Sequence, residues 1–486
     1  MWWQRVTADQ PSTPDVASFF HCLDPPAGPD CCRGTACFVA RRRDPARWTR
    51  AMTQHPPSYC LGRCYRAPAS TEDGPVRPTI RAACPGPILL ERVADGDHSE
   101  LSTYARAGGY RALERALDLQ PATLVDMIRR AGLRGRGGAA FSAGRKWEAV
   151  AAASGVTKWV VVNGDEGDPG AYSDRILLEQ DPHAVLEGLL IASYAVGASH
   201  AVVYVRREYP EAAAAVRRAI DQARDARLLS SPLGAARHTL DVDVAIGHGS
   251  YVCGEETALL NALEGRRGEP RLRPPYPAAA GLFGVPTLVN NVETLANVPW
   301  IARHGASHYR RRGTSDSAGT KLVSLNSLFR RPGLYEVELG LPLRAVVDDL
   351  GHGLVDGRLT ALWVGGPLSG VVPPQLLETP LAFDAMRAIG ASVGHGGVVV
   401  IDEHTSIGEL IEHVFEFGAF ESCGLCTPCR LGTRRLASPG RLTRTEWTRL
   451  TTALRAASLC GFGNGLADFA ASIERYYAEE LDRCLA

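Results

Sequence analysis

The sequence predicts an α/β core with a mainly parallel sheet, followed by a small α+β unit and a helical tail, and preceded by a cysteine-rich segment. Three observations carry this. Between 91 and 300, helical patterns (ATLVDMIRRAG, HAVLEGLLIASYAVG, EAAAAVRRAIDQARDA) alternate with short β-branched runs (KWVVVN, AVVYV, DVDVAIG), which is how a sheet crossed by helices reads. Between 315 and 400, short strands (TKLVSLNS, GLYEVELG, ALWVGG, GGVVVID) surround one helix. From 405 onward the apolar spacing is helical, in SIGELIEHVFEFGAFES, TRTEWTRLTTALRAASL and LADFAASIERYYAEELDRCL. These shifts divide the chain at 1–90, 91–314, 315–400 and 401–486.

Charge and hydropathy narrow the function classes. The 486 residues carry 53 Lys+Arg against 53 Asp+Glu, with 45% apolar residues, an ordinary balance for a soluble globular chain. No basic excess points to nucleic acid. Nearly all the positive charge is arginine. The lysines are Lys146, Lys158 and Lys321, so each needs a local explanation. The longest weakly charged stretch, LLIASYAVGASHAVVYV, is short for a membrane span. Gly197 interrupts it, so it reads as a helix end, a turn and a buried strand. MWWQRVTADQ lacks the apolar run of a signal peptide. A cytoplasmic location without direct membrane insertion is expected, at most peripheral to a membrane complex.

Cysteines are rarely spent on disulfides in such a location. Twelve of the thirteen lie toward the two ends, at 22, 31, 32, 37, 60, 64 and 84, and at 423, 426, 429, 460 and 484; Cys253 stands alone. ESCGLCTPCR places Cys423, Cys426 and Cys429 in a C-x2-C-x2-C run, with Cys460 in a later helix connection. Three close thiolates and a distant fourth suit the corners of a 4Fe–4S cubane, whereas zinc sites use paired knuckles. At the other end, Cys32 and Cys37 are spaced C-x4-C, and Cys60 and Cys64 C-x3-C. Two pairs suit a 2Fe–2S cluster; reactive or zinc-bound cysteines in a loop-rich region are the alternative.

Four loops of the α/β region carry candidate binding chemistry. GLRGRGGAAFSAGRKW (132–147) is too glycine-rich for a helix interior, and its amides, with the charges of Arg134, Arg136, Arg145 and Lys146, suit a phosphate. A tight structural turn is the alternative. VVVNGDEGDPGAYSDR (160–175) runs from a strand into an acidic loop, where Asp165, Glu166 and Asp168 would accept hydrogen bonds from hydroxyl or ring N–H groups. A solvated acidic loop is the alternative. GHGSYVCGEETALLNALEG (247–265) sets Glu255 and Glu256 at a helix start, where capping is the alternative. RLRPPYP presents Tyr276 on a stiff support, and PTLVNNVETLANVP places Asn290 and Asn291 at a helix start. Together these are the parts of a dinucleotide-plus-flavin pocket.

The strings GRGGAAF, NGDEGDPGAYSDR, GSYVCGEETALL, PTLVNNVETLANVP and ESCGLCTPCR resemble the family of NADH-binding, FMN-containing subunits of respiratory complex I. They equally resemble the diaphorase subunits of NAD-dependent formate dehydrogenases and NAD-reducing hydrogenases. CRGTACFVA and CLGRCYRAPA resemble the thioredoxin-like 2Fe–2S domain of those complexes. The resemblance implies a Rossmann-like FMN domain at 91–314, a ubiquitin-like β-grasp domain at 315–400 and a helical 4Fe–4S bundle at 401–486, preceded by a thioredoxin-like 2Fe–2S domain. It implies FMN and NAD(H) as cofactors beside the two clusters.

It also implies roles for residues. Gly135, Arg136, Gly137, Gly138 and Lys146 would hold the FMN phosphate, Asn163 and Asp165 would bind the ribityl chain or ring, and Glu166 would be among the cofactor-binding residues. Tyr251 and Gly254 would line the site, which Asn290, Asn291 and Thr294 would complete. Phe141 and Tyr276 would stack on the NADH adenine, with Arg273 beside them. Glu255 would lie near the flavin and the NADH ribose, and Asp168 and Glu256 would position NADH. No side chain would act as nucleophile or general base, because FMN takes the hydride. Asp168, where many complex I members have Glu, points toward the formate-dehydrogenase and hydrogenase branches. The implied partners are a large catalytic subunit, either formate-dehydrogenase-like or a hydrogenase, and a small 2Fe–2S protein.

Overall fold

Residues 16, 19–21, 30–74, 76–94, 96–155, 157–229 and 239–486 are described in a computed structural model. Cys22 lies outside them. Ten strands occur among these residues: β1 (Thr79–Ala82), β2 (Trp159–Gly164), β3 (His200–Val205), β4 (Asp241–Ile246), β5 (Thr287–Asn291), β6 (Thr320–Leu325), β7 (Gly333–Glu338), β8 (Leu359–Val364), β9 (Val371–Val372) and β10 (Gly397–Asp402).

The first sheet has the order β4-β3-β2-β5, and every pairing in it is parallel. Parallel strands require crossovers that cover the faces, which is why Val160, Val161 and Val162 are all buried. Helix Pro182–Val196 makes the first crossover. All its residues are buried, and it stops at Gly197, whose φ of 74° is the left-handed conformation that glycine adopts without cost. At Gly188 a Cβ would lie 2.1 Å from the Leu295 carbonyl oxygen, so the close approach of this helix to the one at 292–296 depends on glycine.

The chain moves outward from β2 through β3 to β4, then returns to β5 on the other flank of β2. The reversal opens a crevice beyond the carboxyl ends of β2 and β5, where Asn163 and Asn291 sit in register. Ligands of open α/β sheets bind at such a point.

The second sheet has the order β1-β7-β6-β10-β8-β9. β6 and β7 form an antiparallel pair, β10 lies parallel to β6, and β8 runs antiparallel to β10. β1 comes from the N-terminal segment and pairs parallel with β7. On β7, the buried carboxylate of Glu336 receives the backbone N–H groups of Ile88, Leu89 and Leu90, and the Thr320 hydroxyl at 2.6 Å. One side chain therefore ties the chain entering the α/β core to this sheet.

The N-terminal segment departs from the expected thioredoxin-like domain. Its described residues up to 90 hold one strand, β1, and that strand belongs to the second sheet. The physical reason is length: between Cys37 and Cys60 the chain forms a short 3-10 turn and the nine-residue helix Pro45–Thr53, and the few residues left between that helix and Cys60 make only an isolated bridge, Ser58 with Cys32. The segment instead packs on the tail. Phe38 stacks on His413 at 4.2 Å, Arg41 pairs with Glu409 at 2.6 Å, and Arg33 pairs with Glu416 at 3.0 Å.

The tail contains helices Ile407–Glu421, Thr427–Leu436, Arg444–Ala457, Gly461–Tyr476 and Ala478–Cys484. Capping boxes at Ser406/Glu409 and Thr443/Glu446 start two of them. Among the described residues no helix is long and apolar enough to cross a membrane.

Candidate functional site

The glycine loop leaves helix Pro121–Ala131 and enters helix Ala143–Ala152, which Ser142 caps. Gly135 N–H donates to the Phe141 carbonyl and so closes the loop. Gly137 packs against Asn291, where a Cβ would approach the Asn291 Cβ to 2.9 Å, while Gly138, at φ 112°, faces open space. This is a cradle of backbone amides beside the crevice, suited to an anionic group. Lys146 Nζ reaches Glu256 Oε2 at 2.5 Å, and Arg273 lies 3.3 Å from Glu256 and 3.7 Å from Glu255. Phe141 and Tyr276 are both more than half exposed, at 51% and 59%. Aromatic rings left in water on a binding face offer stacking surface.

Two candidate side chains turn inward. Arg136 points its guanidinium into the protein, with Nε and Nη1 left without hydrogen-bond partners. Its side chain is fully buried, with Nη2 donating to the Tyr309 hydroxyl and the Ala318 carbonyl, both at 2.8 Å. Only its backbone N–H points back, to Thr294 Oγ1 at 2.9 Å. Glu166 also turns inward. It receives the Ser173 hydroxyl and the N–H groups of Asp174 and Arg175, at 3.0–3.1 Å, and so caps helix Ser173–Gln180. A helix start supplies donors that a buried carboxylate satisfies at once, and burial still pushes its pKa up to about 7. Glu255 serves as a cap as well, receiving the Thr257 and Ala258 N–H groups at 2.9 Å. The capping alternative accounts for that oxygen, while the other faces Arg273.

The remaining crevice residues split into those that shape it and those that face it. Asn290 receives the Trp147 indole N–H at 2.9 Å, and Asn291 caps helix Val292–Ala296. Thr294 holds the glycine loop through Arg136. Asn163 donates to the Gly254 carbonyl at 2.9 Å. Asp165 is half-buried, but its Oδ2 is shut off from solvent and has no hydrogen-bond partner, and desolvation pushes its pKa up to about 8. A buried carboxylate oxygen without a donor is costly, and a ligand with N–H or O–H groups would relieve it. Asp168, expected at the nicotinamide, is engaged by the protein itself. Its Oδ1 receives the Tyr251 hydroxyl, and its Oδ2 receives His395 Nδ1–H at 3.0 Å. The shorter Asp side chain is held back among protein donors.

Sequence reasoning missed His395, Asp174, Arg175 and Arg206. His395 comes from the loop before β10, and its ring bridges Asp168 and Asp174. Arg206 and Arg175, both buried, donate to the carbonyls of Tyr59 and Gly62. They lash the N-terminal cysteine loop to the acidic loop. Single histidines and arginines carry no local signal; three-dimensional proximity alone singles these out.

The thiols gather in two places. Cys32, Cys37, Cys60 and Cys64 are all at most 3% exposed. Cys60 Sγ and Cys64 Sγ are 3.6 Å apart, and the N–H groups of Gly34, Ala69 and Gly62 point at the sulfurs of Cys32, Cys37 and Cys60, each at 3.4 Å. Crowding raises the thiol pKa values: the hydrogen bond with Cys37 leads for Cys32, and that with Cys32 leads for Cys60, pushed up to about 12. Ionising all four thiols together therefore calls for compensating cations. In the tail, Cys426 immediately precedes helix Thr427–Leu436, Cys429 lies in that helix and Cys460 immediately precedes helix Gly461–Tyr476. Burial pushes Cys429 up to about 12 and Cys460 up to about 11, and Cys423 and Cys426 add repulsion to both. Among the described residues no three ligating side chains close around a single metal ion. A cluster does not ask for that, since each iron of a cubane takes one protein thiolate and each iron of a 2Fe–2S rhomb takes two.

Aromatic rings connect these places. Tyr59, before Cys60, packs on Phe417 at 5.1 Å, Phe417 on Tyr251 at 5.2 Å, and Tyr251 on Phe462 at 5.5 Å, two residues past Cys460.

Comparison with known proteins agrees with this layout. Residues 128–300 match the Nuo51 FMN-binding domain, and residues 409–484 match the NADH-ubiquinone oxidoreductase-F iron–sulfur binding region. The chain is 44% identical over 348 residues to the second F-type subunit of the NADH-quinone oxidoreductase of Rhizobium meliloti, covering 71% of this chain and 83% of that one. It is 39% identical over 396 residues to the HndC component of the NADP-reducing hydrogenase of Solidesulfovibrio fructosivorans, covering 79% and 81%. The structure superposes on a chain of NAD+-reducing NiFe-hydrogenase in the H2-reduced state with a TM-score of 0.82 and 30% identity, over 97% of this chain and 88% of that one. The protein belongs to the F-type family of NADH-quinone oxidoreductase subunits, whose FMN-binding and iron–sulfur-binding regions it carries in order.

Proposed function

We propose that the crevice beyond β2 and β5 binds FMN and NADH, and that electrons leave through a 4Fe–4S cluster held by Cys423, Cys426, Cys429 and Cys460. The observation that carries this reading is the unpartnered, buried Asp165 Oδ2 on the acidic loop after β2, with the open glycine loop packed on Asn291 at the end of β5, a setting suited to a ligand with both donors and an anionic end. FMN, when bound, supplies hydride acceptance from NADH and one-electron release. The protein's share is to place the reactants. The Gly137 and Gly138 amides, which the loop's own bonds leave unengaged, and the Lys146 ammonium suit the phosphate, and Asn163 and Asp165 suit the ribityl chain and ring. Asn291 and Thr294 hold the loop. Phe141 and Tyr276 suit the adenine, with Arg273 and Glu256 beside it. Anaerobic mixing of the FMN-loaded protein with NADH tests the reading: bleaching of the flavin absorption is expected, and its absence overturns it. Tyr276→Ala is expected to weaken NADH binding by about 0.5–1.5 kcal/mol, the worth of one aromatic stack, with FMN occupancy unchanged.

The N-terminal thiols are proposed to hold a 2Fe–2S cluster. Their support is fourfold burial, N–H groups aimed at three sulfurs, and repulsion that a cluster's irons would relieve. Anaerobically purified full-length protein is expected to contain about six irons, two beyond the cubane's four, since a rhomb and a cubane together need that many; Cys60→Ser should lose about two of them. Stoichiometric zinc would favour the zinc alternative. Partner subunits are expected because the relatives are named as subunits. A formate-dehydrogenase-like catalytic protein remains the proposed partner on the strength of the NGDEGDPGAYSDR string, with a hydrogenase or a complex I assembly as the competing readings; co-purification identifies which.

A further inference from the structure

His395 is 9% exposed and lies between two carboxylates. Nδ1 is 3.0 Å from Asp168 Oδ2, and Nε2 is 3.2 Å from Asp174 Oδ2. A neutral imidazole has one N–H and donates to one of these; its bare Nε2 would have only the long 3.4 Å approach of the Asn291 amide, which already donates to Asp174, so satisfying both carboxylates takes both nitrogens protonated. The Asp174 oxygen also receives the Asn291 amide at 2.5 Å, and Asp174 Oδ1 receives Glu293 N–H at 3.3 Å. The ring thus joins the acidic loop after β2 to the Asn291 turn after β5, the two walls of the crevice, from a third element outside the α/β core. The remaining groups around it are Asp165 and Glu166 on the acidic loop, whose fields favour its charge, and Lys321, whose ammonium donates to the His395 carbonyl at 3.0 Å and is neutralised by Glu293. The Tyr251 hydroxyl occupies the other Asp168 oxygen.

We propose that His395 is a positioning residue for the flavin–nicotinamide site: held as an imidazolium between Asp168 and Asp174, it sets the Asp168 carboxylate and the Asn291 turn on opposite walls of the crevice. The inference rests on the FMN/NADH reading for its consequence, though the imidazolium bridge stands apart from it. Losing the charge frees two buried carboxylates to repel each other and opens the crevice walls. Displacements of that kind reduce rates without removing any group that touches the reactants. The two carboxylates hold the His395 pKa well above its usual value, against the desolvation that opposes them. The bridge is therefore complete at and below the ordinary histidine range and is lost as pH rises through the raised value.

The test uses full-length His395→Gln, which keeps one donor and removes the charge. Flavin occupancy should match wild type, while the flavin reduction rate at saturating NADH falls about tenfold to a hundredfold at neutral pH. Beyond the Asp165 titration near 8 that both proteins share, wild type should lose further rate in the alkaline range; the variant should lack that further limb. Asp174→Asn removes one of the two carboxylates that favour the charge, so its alkaline limb should move to lower pH. A wild-type rate and pH profile in His395→Gln overturns the proposal, as does an unmoved limb in Asp174→Asn, which decides the matter if His395→Gln fails to fold. Melting of the flavin-free protein gives a readout independent of activity: wild type should lose stability in the alkaline range where His395→Gln does not, and equal losses overturn the bridge. Failure of wild-type flavin to be reduced by NADH would sink the functional reading instead and leave the melting comparison standing.

Discussion

Cys429→Ser is expected to abolish electron exit from the protein while leaving flavin reduction by NADH intact. Cys429 is 4% exposed, at the start of helix Thr427–Leu436, and the Ser422 hydroxyl lies 3.2 Å from its sulfur. Serine keeps the volume and loses the soft thiolate that iron requires. The expected signature is loss of about four irons, the content of a cubane, and loss of the reduced cluster's paramagnetic signal, with unchanged NADH bleaching of FMN. Small acceptors that reach the flavin directly should still be reduced. A variant with full iron content and a normal cluster signal would remove Cys429 from the ligand set. Cys460→Ser should behave in the same way, because its sulfur lies in the same repulsive group.

Lys321→Met should produce the largest loss of stability. Lys321 on β6 and Glu293 at the head of helix Val292–Ala296 form an ion pair with both side chains at 0% exposure. Removing one member leaves the other charge buried without its partner, which costs about 3–5 kcal/mol. The double substitution Lys321→Met/Glu293→Gln removes both charges and should recover most of that loss. Urea unfolding of the two variants measures the difference; a loss below about 1 kcal/mol in the single variant, the level of an exposed pair, would show that the pair is not holding the sheet to the core. Because Glu293 lies one residue before Thr294, the single variant should also retain FMN less well.

The lysines show how far local reading reaches. Their scarcity marked all three as specific, and each has a specific partner. Lys146 meets Glu256, Lys158 donates to the carbonyls of Val150 and Ala151 at the end of their helix, and Lys321 meets Glu293. Composition could say that each mattered but not with what. Secondary structure was legible in the same way. β2, β3, β4, β6, β7, β8 and β10 coincide with the β-branched runs, because the pattern that buries a strand is written in consecutive residues. The tail's final helical run contains a break at Tyr477, φ −137°, which a continuous apolar pattern does not announce.

The acidic loop marks the boundary more sharply. Its position after a buried strand followed from the sequence, and so did the need of its carboxylates for donors. Which donor each one found did not. Glu166 took a helix start, Asp168 took Tyr251 and His395, and Asp165 was left unpartnered. The N-terminal segment is a parallel case: the spacing of its cysteines was readable, but its strand was claimed by β7 and its helices by the tail. Strand periodicity, glycine loops, cap residues and the C-x2-C-x2-C run are short-range properties, determined by neighbours along the chain. The pairing of buried charges, the joining of β1 to a distant sheet and the bridge through His395 depend on which surfaces meet, and desolvation makes each such meeting all-or-none. A buried carboxylate must take whatever donor the fold brings within hydrogen-bonding reach, and no local pattern records that choice.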